Sequence, residues 1–171
     1  MYLKNANPSD ADDVQFCMSI RNNPDNHKFF HQNMHITEEM QTAFMAREKY
    51  FYIIIDNEKR VGTISLYNIN GDTGVLGRFF VVPEQRFSVV ATLSEVLIVT
   101  KGFEDLKLNI LLCDIVQNNT TIINMHDNFG FKTYEEKDGI VYMRLNKNGI
   151  TPFYHKMHKR FIGNKYNDFW R

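Results

Sequence analysis

Two β-branched runs, 75–82 and 109–116, are separated by a proline and a long apolar stretch, and this arrangement restricts the fold more than any other feature of the chain. The first run stops at Pro83. Residues 88–103 then read as a helix, with Val89, Val90, Leu93, Val96, Leu97 and Thr100 on its apolar side. A crossover that carries a helix between two strands is the connection that sets them side by side in parallel.

The flanking segments complete a mixed α/β pattern. Residues 1–6 suit a short edge strand, and Asn7-Pro8-Ser9-Asp10 supplies turn and cap chemistry for a helix over 11–21 that ends at Asn22-Asn23-Pro24. Thr37-Glu38-Glu39 caps a second helix to about Arg47, with Met40, Ala43, Phe44 and Arg47 at helical spacing. The runs 50–56 and 60–67 form a hairpin around Asn57-Glu58-Lys59. After the crossover, 120–129 reads as a helix closed by Gly130, and 131–135 and 140–145 pair around Asp138-Gly139. The expected architecture is a central mixed, mainly antiparallel sheet flanked by helices.

Composition narrows the function classes. With 171 residues the chain suits one domain, and its formal net charge of zero gives no bias toward nucleic acid or an anionic membrane. Cys17 and Cys113 lie far apart, with neither metal-ligand spacing nor a disulfide framework, which fits a reducing cytoplasm. No segment reaches the roughly 20 apolar residues that span a bilayer, and residues 1–13 do not resemble an export signal. We divide the chain into a domain over 1–148 and an aromatic and basic extension over 149–171, packed on the same domain.

The run from Gly77 to Ala91, together with Asn118-Asn119 and Gly130-Phe131, resembles the GNAT superfamily of acetyltransferases. The family hallmark is a strand that ends in a proline-bounded loop opening a helix, with a second helix that ends in Gly-Phe. The resemblance implies acetyl-CoA as cofactor and a splayed strand pair that receives it. Its pyrophosphate would meet backbone N–H groups at a helix N-terminus, where unpaired donors and the helix dipole favour an anion. The cofactor residues implied are Phe80, Val81, Val82, Arg86, Phe87, Ser88, Val89, Val90, Ala91 and Asn119. Arg86 and Ala91 match the ends of the loop pattern, whereas Val89 replaces its glycine and Phe87 a second frequent one. Side chains there either hold the loop further from the phosphates or weaken binding.

By the same resemblance, the thioester carbonyl meets a backbone N–H near Phe80, and His126 occupies the place from which relatives present a tyrosine to the departing sulfur. An imidazole can donate that proton, its ordinary pKa being near neutrality; the alternative is a packing histidine. Glu84 more readily faces solvent than serves as base, and His27, His31 and His35 stay open as candidates. Arg21, with Asn22 and the segment 29–39, resembles the branch that includes ribosomal-protein and nucleotide-amino-sugar N-acetyltransferases; the alternative for Arg21 is a helix C-terminal cation with no substrate role.

That branch implies a small amine acceptor, a nucleotide-linked amino sugar, held by Arg21, His31 and Arg78 and attacking the thioester directly. The alternatives are a peptide N-terminus or another small amine, and a non-catalytic ligand-binding module. The extension reads either as a lid over a nucleotide base or as a segment packed on the core or across a homodimer interface.

Overall fold

A computed structural model describes residues 1–30, 34–86 and 88–171. It contains seven strands, β1 (Tyr2–Asn5), β2 (Phe51–Asp56), β3 (Lys59–Asn70), β4 (Thr73–Val81), β5 (Ile110–Val116), β6 (Lys132–Lys137) and β7 (Ile140–Asn146). The helices are α1 (Ala11–Asn22), α2 (Glu38–Arg47), α3 (Val89–Thr100), α4 (Thr120–Phe129) and α5 (Pro152–Met157). The strands form one sheet in the order β1-β2-β3-β4-β5-β7-β6, antiparallel except for β4 beside β5. The crossover through α3 therefore performs the task expected of it.

Alternation along the strands divides the core between two faces. Phe51, Ile53 and Ile55 of β2 pack with Val14, Cys17 and Met45 of α1 and α2. Tyr52 and Ile54, with Ile64, Leu66, Leu76, Leu111 and Cys113, turn to the other face, under α3 and α4. Every residue of α3 from Val90 to Thr100 is buried except Thr92. This helix is thus apolar nearly all round, and its three buried polar side chains, Ser94, Glu95 and Thr100, stand out.

Two sequence boundaries moved. The β3–β4 hairpin runs on to Asn70 and Thr73, which pair across Gly71 at φ 59°, whereas the expected strands stopped at 67 and began at 75. The polar residues between them carried no alternation to betray the extension. The expected helix 88–103 ends as an α-helix at Thr100 and continues as a π-turn, Lys101–Asp105.

The extension folds along α3. Tyr154 is buried and its hydroxyl lies 2.6 Å from Thr100 Oγ1, and Ile162 is 2% exposed. Phe161, Tyr166, Phe169 and Trp170 pack against the same core, with the Trp170 ring 5.1 Å from that of Tyr52. The chain finishes beside β1, where Arg171 N donates to Leu3 O at 3.0 Å and Asn5 N donates to Arg171 O at 2.7 Å.

Candidate active site

The parallel pairing of β4 and β5 lasts only from Thr73–Val75 against Ile110–Leu112. Beyond that point β4 keeps β3 alone and β5 keeps β7 alone, so the middle of the sheet opens into a fork. An open strand edge inside a sheet presents unpaired amides to any extended ligand with its own amides. Val82 N donates to Val61 O at 2.8 Å, so the N–H and C=O of Phe80 also face β3, and alternation turns those of Val81 into the fork.

A bulge in β4 shapes the upper arm. Thr63 pairs with Phe80 and Ser65 with Gly77, which leaves Arg78 and Phe79 opposite a single residue of β3. Arg78 takes a left-handed conformation, φ 51°, and Thr63 Oγ1 donates to its carbonyl at 2.9 Å. The extra residue re-aims Arg78 toward α2. Its guanidinium lies 2.9 Å from Glu48 and over the rings of Tyr67 (3.9 Å) and Phe44 (4.6 Å).

Arg21 reaches the same face. Its guanidinium covers the Phe30 ring at 4.2 Å, and burial together with the nearby charge of Arg78 lowers its pKa. Arg86, from the loop before α3, lies over Phe29 at 5.1 Å and donates to Asn26 at 3.4 Å. Three guanidinium groups thus rest on aromatic rings on the α1–α2 side of the fork.

At the start of α3, Ser88 is the N-cap. Its Oγ accepts from Val90 N at 3.1 Å and donates to Gln85 O at 2.9 Å. No acidic residue occupies the first turn. The remaining N–H groups there, the helix dipole and neighbouring Arg86 suit an anion, so these residues fit the pyrophosphate end of acetyl-CoA. Val89 stands where the family pattern has glycine. It has ordinary helical backbone and a side chain 48% exposed, so no left-handed conformation demands glycine at that position. Val90 and Ala91 send their side chains into the core, while Asn119 marks the start of α4 without capping it by side chain.

His126 lies just beyond the fork and is 2% exposed. Gly130, at φ 110°, closes α4 and lets Phe131 turn back so that its ring stacks on the imidazole at 4.7 Å. The imidazole Nδ1 lies 2.7 Å from Glu95 Oε1 of α3, and the ring also meets Cys113, the first β5 residue past the paired segment. Burial opposes a charge on the ring, but Glu95 and Cys113 outweigh it and push the pKa up to about 10.

The structure brings Phe80, Val81, Val82, Arg86, Ser88, Val89, Val90 and Ala91 together along one arm, and Arg21 with Arg78 on one face. His31 and Phe87 lie outside the described residues. Among the other base candidates, Glu84 and His35 are exposed. Glu48, Glu95 and Cys113 were not foreseen. The signal for Glu95 was present in the sequence, as the one charged residue inside a largely apolar helix. The extension covers α3 on the face opposite Arg21 and Arg78.

A mixed sheet with a mid-sheet fork and a crossover helix beginning beside it is the architecture of acetyltransferases of the GNAT class. The acetyltransferase (GNAT) domain family matches residues 1–132, and the chain belongs to that family. No curated protein matches the sequence significantly. Solved structures share the fold at low identity. FdhC, a nucleotide-linked sugar GNAT in its apo form, is 18% identical with a TM-score of 0.72, covering 90% of each chain.

Spermidine N-acetyltransferase from Vibrio cholerae, solved with CoA and spermine, is 13% identical with a TM-score of 0.71, over 82% of this chain and 93% of its own. The Campylobacter jejuni N-acetyltransferase PseH, solved with acetyl coenzyme A, is 20% identical with a TM-score of 0.56, over 64% of this chain and 79% of its own. Membership of this acetyltransferase family makes acetyl-CoA the cofactor. Among the described residues, no helix is long and apolar enough to cross a membrane.

Proposed function

We propose that this enzyme acetylates an amino group on a small anionic acceptor, a nucleotide-linked amino sugar in the cytoplasm, by direct attack of the amine on the thioester of acetyl-CoA. The observation that carries this reading is the pairing of Arg21 and Arg78 beside the fork, close enough for one charge to perturb the other. Arg78 is already held by Glu48, so Arg21 beside it is the guanidinium that favours a phosphate-bearing acceptor over a polycation. Lys28 and Phe30 continue that side into an open groove of about 520 Å³, whose lining also includes Val116, Asn118 and the acidic Asp138.

Acetyl-CoA supplies the acetyl group as an activated thioester. Val81 N–H, turned into the fork, is the donor placed to stabilise developing charge on a carbonyl oxygen. Arg86 and the first turn of α3 hold the phosphates, and His126 returns a proton to the leaving sulfur.

The test is acetyl transfer to a nucleotide diphosphate amino sugar and, separately, to spermidine. The anionic acceptor should show the larger kcat/KM, and Arg21→Met should raise its KM about tenfold or more while leaving that of acetyl-CoA unchanged. Preference for spermidine would overturn the acceptor class. For the acid, His126→Ala should lower kcat about 10²-fold with little change in substrate binding. His126→Tyr should restore part of the rate, and full activity in folded His126→Ala would remove His126 from the reaction.

A further inference from the structure

Glu95 is fully buried on α3, and neither of its oxygens takes an aligned hydrogen bond. A lone carboxylate in such a place is costly unless a cation compensates it. The group that does so is His126, 2.7 Å away on α4 and itself 2% exposed. Nδ1 lies close to Oε1 but off the direction of the N–H, so charge at short range, rather than an aligned hydrogen bond, joins the two.

Cys113 touches the ring from β5, and Phe131 stacks on it. Glu95 from α3, Cys113 from β5 and Phe131 after α4 thus all meet the ring. Both titratable neighbours favour the charged imidazole.

We propose that Glu95 is a positioning residue for acetyl transfer, its carboxylate keeping a proton on the His126 ring for the departing thiolate. The inference rests on the reading of His126 as the acid. In the step, the amine nitrogen forms a bond to the acyl carbon and the carbon–sulfur bond breaks. The sulfur takes the electron pair and the His126 proton, and the acylated nitrogen releases its proton to water. His126 is left as neutral imidazole beside the Glu95 carboxylate and regains its proton from solvent. A histidine without this partner, equally buried, would lose its proton at or below the ordinary value near 6.5 and be an empty donor at neutral pH.

The consequence is a specific pH profile. With His126 raised to about 10, kcat of the wild-type enzyme should hold through the neutral range and decline only at alkaline pH. Glu95→Gln keeps size and shape and removes the charge. It should move the alkaline decline down to the ordinary histidine range or below, and lower kcat at pH 8 by about 10- to 100-fold. Activity should recover toward acid pH, and the KM for acetyl-CoA should not change.

NMR titration of the His126 ring reads its protonation without reference to activity and needs only the wild-type protein for its first half. If the wild-type ring titrates near 6.5, or if Glu95→Gln leaves the ring's titration unmoved, Glu95 has no such role, whatever His126 does. If the ring's titration falls as expected but the kcat profile stays where it was, the proposal fails because His126 is not the acid. A fall in thermal stability with no change in either titration would make the pair purely structural and also overturn it.

Discussion

Gly62 should be among the least replaceable small residues in the chain, and the reason can be worked from its neighbours. An alanine Cβ there would sit 2.9 Å from Ile54 Cδ1 and 3.2 Å from Val81 Cα, and nearer still to the carbonyl oxygen of Phe80. Ordinary contact for such a carbon begins at 3.4 Å. Ile54 can rotate aside, but the other two neighbours are backbone of β4 and can yield only if the strand moves. Overpacking of this kind costs about 1–3 kcal/mol, and a chain of this size loses about 2–4 °C in Tm for each.

The movement falls on Phe80 and Val81, the residues that form the upper arm of the fork. A displacement of about 1 Å at a positioning strand can cost about 10²-fold in rate. Gly62→Ala should therefore lower Tm by about 2–12 °C and also lower kcat in the fraction that remains folded. Gly71→Ala is the matched control, since φ 59° strains it too but its Cβ would meet nothing within 4 Å. That variant should lose stability alone. If Gly62→Ala melts within a degree of wild type with unchanged kinetics, the coupling of β3 packing to the fork is wrong.

Two further outcomes can be checked directly. Arg86→Glu should raise the acetyl-CoA Kd far more than Arg86→Lys, because only the first turns a negative charge toward the start of α3; equal constants by calorimetry would remove Arg86 from the phosphate site. Ile162→Ala should cost about 2–4 kcal/mol in chemical denaturation yet leave the acceptor KM unchanged, because the extension lies on the face away from Arg21 and Arg78. A raised acceptor KM with unaltered stability would restore the extension to the role of a lid.

Local patterns carried much of this architecture. Pro83, the apolar run after Ser88 and the β-branched run at 110–116 required a parallel pair, and β4 and β5 form it. Gly130 announced the end of α4 because the turn there takes φ 110°, which favours glycine. Pairwise and long-range facts were beyond the sequence. Gly77 inside the run is the local hint of an irregularity, but the left-handed arginine beside it arises from the register that β3 imposes and not from its own preference.

Likewise, Asp13 looks like an ordinary first-turn acid, yet it is fully buried and joins Lys4 and Arg60, each at 2.9 Å. The meeting of His126 with Glu95 spans two helices whose facing sides are set by the sheet between them in sequence. The aromatic residues of the extension were visible, but two opposite uses suited them equally, and only their contacts with Tyr52 and Thr100 distinguish these.

The contact between Arg171 and β1 has a consequence for biosynthesis. On the ribosome β1 emerges some 165 positions ahead of the residues that occupy its outer edge, an interval of about 10–30 s at ordinary elongation rates. During that time the strand exposes a row of unsatisfied amides next to the apolar Leu3, the kind of edge at which neighbouring nascent chains join. Shielding by a chaperone, or late docking of β1 itself, would have to bridge the interval until Trp170 and Arg171 close the sheet.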